Sequence, residues 1–151
     1  MASVNYWIVR ATGDVYSASF ERRRVGASKG TLSGLKKIRP GDKGVFYIST
    51  ERLHGGAHIQ EFRRPFLFAG QTEPVAIPID TLPEEKQLSY SIVIAFENDY
   101  RRGSPIEAII ARLDFIKEKE HWGSYLMKQL VKIPEKDYFT ILGAMKDLAD
   151  S

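Results

Sequence analysis

The chain has 151 residues, 43% hydrophobic and 27% charged, with a formal net charge of +3. That is the size and balance of one globular domain, predicted to span residues 1–151, and it excludes a wholly disordered chain. There is no cysteine, which removes disulfide scaffolds, thiolate zinc sites and cysteine nucleophiles and fits a cytoplasmic protein.

Asn5–Arg10 is rich in aromatic and β-branched residues and reads as a first strand, with Trp7 between apolar neighbours as a core residue. Val15–Arg23 is predicted as a short helix, followed by a small, flexible stretch from Gly26 to Gly34 and one helical turn over Gly34–Ile38. Pro40-Gly41-Asp42 marks a turn before the clearest strand, Lys43–Ser49. Thr50–Arg64 reads as a long loop. Pro65–Gln71, Pro74–Ile79 and Leu88–Phe96 read as further strands, the last two by strict alternation. Ser104-Pro105-Ile106-Glu107 has the form of a capping box opening a helix over Pro105–Arg112. A second late helix is predicted over Gly123–Val131. The last one follows Pro134, with Tyr138, Ile141, Leu142, Met145 and Leu148 on one face. The strands are too consecutive for a doubly wound parallel sheet. The fold class is α+β: a small, mostly antiparallel barrel of five or six strands with short flanking helices.

No apolar run approaches the roughly 20 residues of a membrane helix, and the N-terminus lacks the basic and apolar regions of a secretion signal. Few Asn with many Lys, Arg and Glu point to a thermophilic source. Charge is uneven. Residues 1–75 hold 12 Lys/Arg against 6 Asp/Glu, and residues 76–151 hold 10 against 13. The basic residues cluster as Arg22, Arg23, Arg24, Lys29, Lys36, Lys37, Arg63 and Arg64. Such a patch attracts phosphates; it serves equally as a solvated face. His54 and His58 are four apart, but Gly55 and Gly56 between them disfavour the helix a zinc pair needs, so they read as loop histidines, and neither a metal nor a cofactor is expected. Gly26–Thr31 lacks phosphate-loop spacing, and there is no Gly-x-Ser-x-Gly elbow. Asp114, Glu118 and Glu120 alternate with Lys117 and Lys119, as on a salt-bridged surface. Aromatics are plentiful. Most belong to a core, and Trp122, between His121 and Gly123, is the best functional candidate among them.

Four segments, in order, resemble EVE-domain proteins of the PUA-like fold. They are Tyr6-Trp7-Ile8-Val9, the stretch Leu35 to Tyr47, the stretch Leu113-Asp114-Phe115-Ile116 through Lys119 to Trp122, and Ile133-Pro134-Glu135-Lys136-Asp137-Tyr138. The resemblance implies a small β-barrel with a pocket for a flipped or unpaired, modified base. EVE domains are related to YTH readers of methylated adenine in RNA, and occur both as archaeal stand-alone proteins and fused to McrB-type restriction machinery. A fused or associated nuclease or motor domain is therefore implied as a partner, beside DNA or RNA. Carried onto this chain, the pocket takes Arg10, Ala11 and Thr12 from the end of the first strand, Val25, Gly26, Ala27 and Ser28 from the segment after the early helix, and Trp122. The family often has tryptophan where this chain has Val25. Either another aromatic, Tyr125 or one from residues 50–64, replaces that cage wall, or the base is not read in the usual way. The resulting expectation is a non-catalytic nucleic-acid-binding module; the alternative is a PUA-like hydrolase or a small-ligand (nucleoside) binder.

Overall fold

Alternation along two parallel strands sets the architecture. In the computed structural model, which describes residues 3–52 and 55–150, β1 (Tyr6–Ala11) pairs in parallel with β3 (Lys43–Arg52). Trp7, Val9 and Ala11 of β1 and Phe46 and Ile48 of β3 face one core; Ile8, Val45 and Tyr47 face another. The period of two thus splits one ladder between two cores, one on each face. The sheet runs β2-β5-β4-β3-β1-β7, with the two-residue β6 (Ser104–Pro105) on β4. β2 is Arg24–Ala27, β4 Gly55–Phe68, β5 Tyr90–Phe96 and β7 Leu130–Ile133. Every pairing except β1–β3 is antiparallel.

The first core lies under α1 (Gly13–Arg22), whose Val15 and Tyr16 pack on it, and includes Val25, Ala27, Leu35, Phe66 and Phe68. α2 is the single turn Leu32–Leu35. The second core lies under α3 (Glu135–Asp150), which buries Tyr138, Ile141 and Met145, each worth about 1.5–3 kcal/mol of apolar transfer. Two buried carboxylates pin these layers. Asp42 accepts from the Trp7 indole N–H at 3.0 Å and from the backbone N–H groups of Asn5 and Arg39, both at 3.1 Å. Asp137 accepts from the N–H groups of Asp114 and Phe115 at 2.8 Å each.

The predicted fold class holds, while five local expectations are corrected. Residues 50–64 form no long loop: β3 and β4 make a long hairpin, and His58 lies on its second strand, while His54 lies outside the described residues. Pro74–Ile79 is not a strand; Pro78 removes a ladder donor, and only Ile77 bridges, to Leu88. Ser104 is not a helix cap, because it is buried in β6 opposite Phe62. The chain after it forms 3-10 turns over Ile106–Ala108 and Ile110–Arg112, burying Ile106 and Ile109 at the three-residue spacing such turns repeat. Residues 123–131 are split between a kinked 3-10 segment, Lys119–Leu126, and β7. Gly26 and Ala27, read as the start of a flexible stretch, belong to β2, a strand paired to β5. Among the described residues no helix is long and apolar enough to cross a membrane.

Candidate functional site

β1 ends at Ala11, opposite Ile48 of β3, which runs on to Arg52. Over that end passes the segment 127–129, tied down from two directions. The Arg10 backbone N–H donates to the Gln129 carbonyl at 2.8 Å, and its guanidinium donates to the Met127 carbonyl at 2.9 Å. The Gln129 side-chain amide donates to the Gly26 carbonyl at 2.6 Å. Gly26 belongs to β2 at one edge of the sheet, and residues 127–129 lead into β7 at the other. The curled sheet is therefore drawn together here by a side-chain hydrogen bond rather than by a ladder.

Two chambers adjoin at this closure. The first, about 370 Å³, is lined by Ala11, Val15, Leu82 and Leu88, with Ser28, Thr31 and Lys86 among its polar groups. The second, about 300 Å³, is lined by Tyr47, Thr50, His58, Gln60 and Trp122. Arg10, Thr12, Ser49 and Met127 line both. Each sits at the small end of the range of ligand pockets, which starts at about 300 Å³. Gly26 makes the first wall possible: a Cβ there would lie 2.9 Å from the Leu88 Cβ and 3.0 Å from the Ile77 Cδ1.

Hydrogen bonds settle which way the polar groups point. The Thr12 hydroxyl donates to Asp14 Oδ1 at 2.5 Å, so its proton is committed and its lone pairs remain as acceptors. Asp14 also accepts from the Val15 N–H at 2.9 Å and from the Thr81 hydroxyl. Burial raises the Asp14 pKa, but these hydrogen bonds outweigh it and hold the carboxyl below the usual value. The Ser28 N–H donates to the Thr31 hydroxyl at 3.1 Å, fixing the mouth of the first chamber. In the second, burial pushes Tyr47 up to about 12 against the opposing Arg10 charge, so it stays a neutral phenol.

The structure brings together Arg10, Thr12 and Ser28, and places Trp122 in the neighbouring chamber. Val25 is 1% exposed and belongs to the first core, so it lines neither chamber. Tyr125 lines neither as well; it packs on the second core and its hydroxyl accepts from the Glu118 N–H at 3.1 Å. The first chamber carries no aromatic side chain in its lining. The basic residues divide. Arg24 pairs with Glu73 at 3.3 Å, Arg63 with Glu61 at 2.5 Å and Arg64 with Asp99 at 3.4 Å. Arg63 lies over Tyr16, Arg64 over Phe20 and Phe96, and Arg23 over Phe96. Arg22, Lys29, Lys36 and Lys37 are exposed. Sequence reasoning missed Gln60, Met127 and Gln129, whose positions depend on a hairpin and a strand that periodicity did not reveal, and Lys86, which sits in a 3-10 turn over Glu84–Lys86.

No protein-family model matches the sequence. A UPF0310 protein of Pyrococcus abyssi is 28% identical over 144 residues, 89% of this chain and 95% of its own. The YTH domain of the Zygosaccharomyces rouxii MRB1 protein, solved in complex with N6-methyladenosine RNA, aligns with a TM-score of 0.63 at 11% identity over 95% of this chain and 87% of that one. The Mmi1 YTH domain aligns with a TM-score of 0.65 at 7% identity over 98% and 92%. The α+β half-barrel seen here is thus the fold of YTH domains.

Proposed function

We propose that this chain is a non-catalytic, EVE-type nucleic-acid reader that takes one unpaired base into the first chamber. The observation that carries the reading is the pairing of Thr12 and Arg10 at its rim. Thr12 is committed as a donor to Asp14 and presents an acceptor, while the Arg10 guanidinium presents donors. An amino-bearing base edge, as in adenine or cytosine and their N-methyl forms, offers the complement. The base would lie between aliphatic walls of Val15, Leu82 and Leu88 rather than in an aromatic cage. Among the described residues Arg22, Lys29, Lys36 and Lys37 are exposed and make none of the ion pairs that occupy Arg24, Arg63 and Arg64, and they would hold phosphates. The YTH neighbour solved with N6-methyladenosine RNA supports the same use of this fold.

The hydrolase alternative needs an activated nucleophile, and Thr12 against Asp14 is the pair that superficially offers one. Asp14 accepts from Thr12, Thr81 and the Val15 N–H together, and its lowered pKa makes it a poor base. The pair orients the hydroxyl.

The test is fluorescence anisotropy with single- and double-stranded RNA and DNA, with and without N6-methyladenine or 5-methylcytosine, at two salt concentrations. Binding is expected to favour an unpaired base, and Arg10→Ala or Thr12→Val should weaken it by about tenfold. Absence of binding at low salt to all of these would overturn the reading.

A further inference from the structure

We infer that the second chamber binds the nucleotide adjacent to the base held in the first, so that the site reads two successive nucleotides; this rests on the reading above. The chambers share Arg10, Thr12, Ser49 and Met127 as a common wall, so a strand with its base in one must pass the mouth of the other. Met127 stands on that wall with 71% of its surface exposed, and its carbonyl is held by the Arg10 guanidinium. An exposed, unbranched apolar side chain on an anchored backbone is the type of wedge that keeps two neighbouring bases unstacked.

The second chamber also differs chemically from the first. Gln60 has φ of 51°, in the left-handed region, where β4 slips register against β3 between Thr50 and Ile48. Glycine is the residue this backbone favours; glutamine there is strained, and strain of this kind concentrates at binding sites. Gln60 and Trp122 line the chamber, and neither the Gln60 carboxamide nor the Trp122 indole N–H has a hydrogen-bond partner among the described residues. A carboxamide offers a donor and an acceptor side by side, which matches the N6 and N7 edge of adenine, and an indole face stacks on any base. Gln60 reads the edge of the neighbouring base and Trp122 stacks on it.

The experiment uses fluorescein-labelled RNA and DNA nonamers with adenine or N6-methyladenine at the centre and each of the four bases at the two flanking positions. The wild-type chain should discriminate among bases at one flank by at least about fivefold, favouring adenine. Gln60→Ala and Gln60→Gly should both flatten that preference to within about twofold while keeping the preference at the centre; the glycine variant suits the left-handed backbone and serves as the folding control. Trp122→Phe should retain flank discrimination, since a ring remains. Binding that depends on the central base but is indifferent to both flanks would overturn this inference and leave the first reading standing. Flank discrimination that survives in both Gln60 variants would overturn the role of the second chamber. Absence of binding to every nonamer would overturn both readings.

Discussion

The two tryptophans live in opposite circumstances. Trp7 is 6% exposed, and its indole N–H is bonded to Asp42, whose carboxylate also takes two backbone donors. Every polar atom there has a partner, and the cluster holds the start of β1 against the turn before β3. Trp122 is half-buried on the second core and lines a chamber, and its N–H has no hydrogen-bond partner among the described residues. The contrast separates structure from site. At one end of β1 polar groups satisfy one another; at the other Arg10, Gln60 and Trp122 retain hydrogen-bonding capacity for something else.

The sharpest break of that comparison is Asp42→Ala, which strands three donors at once. It should cost about 3 kcal/mol or more in urea unfolding, while Trp122→Ala should cost about 1 kcal/mol and instead lose binding. Next is Gly26→Ala, whose Cβ meets the Leu88 Cβ at 2.9 Å. Overpacking there should cost about 1–3 kcal/mol and narrow the first chamber, weakening binding in the same variant. Gln60→Gly should move stability the other way, raising it by up to about 1 kcal/mol in the same unfolding assay while flank discrimination is lost. The smallest effect concerns Asp14. Its pKa is depressed in the fold, so its stabilising contribution is full above the unfolded value of 3.8 and fades as pH falls through the folded value. Asp14→Asn should therefore melt below wild type near neutral pH, with the gap in Tm closing on acidification, as followed by circular dichroism.

Much of the fold was legible where periodicity is clean. Tyr6–Ala11 and Lys43–Ser49 are rich in aromatic and β-branched residues, Tyr90–Phe96 follows an alternating pattern, α3 repeats its apolar residues at helical spacing, and Trp7 falls in the core as its neighbours imply. β4 was not legible, because left-handed residues at Gln60 and Arg64 and the pair Gly55-Gly56 break its alternation. Residues 123–131 misled because Leu126 and Leu130 are four apart, as on one helix face, although they lie in a 3-10 segment and a strand. The same two failures hid half of the site. Arg10, Thr12, Ser28 and Trp122 came from the resemblance to EVE domains, and the structure puts them around two adjoining chambers. Gln60 and Met127 come from the very segments whose conformation departs from simple repeats. Val25 is the instructive case: its side chain is buried in the first core with Ala27 and Ile92 and lines neither chamber.

The central claim is that an unpaired base occupies the chamber at the end of β1, and amide chemical-shift mapping locates it most directly. On titration with a short single-stranded oligonucleotide carrying N6-methyladenine, the largest shifts should fall on Thr12, Gly26, Ser28 and Gln129, and in Thr12→Val those of Gly26, Ser28 and Gln129 should need about tenfold more oligonucleotide. Shifts confined to the basic face around Arg22, Lys36 and Lys37, with Thr12 and Ser28 unmoved, would contradict it.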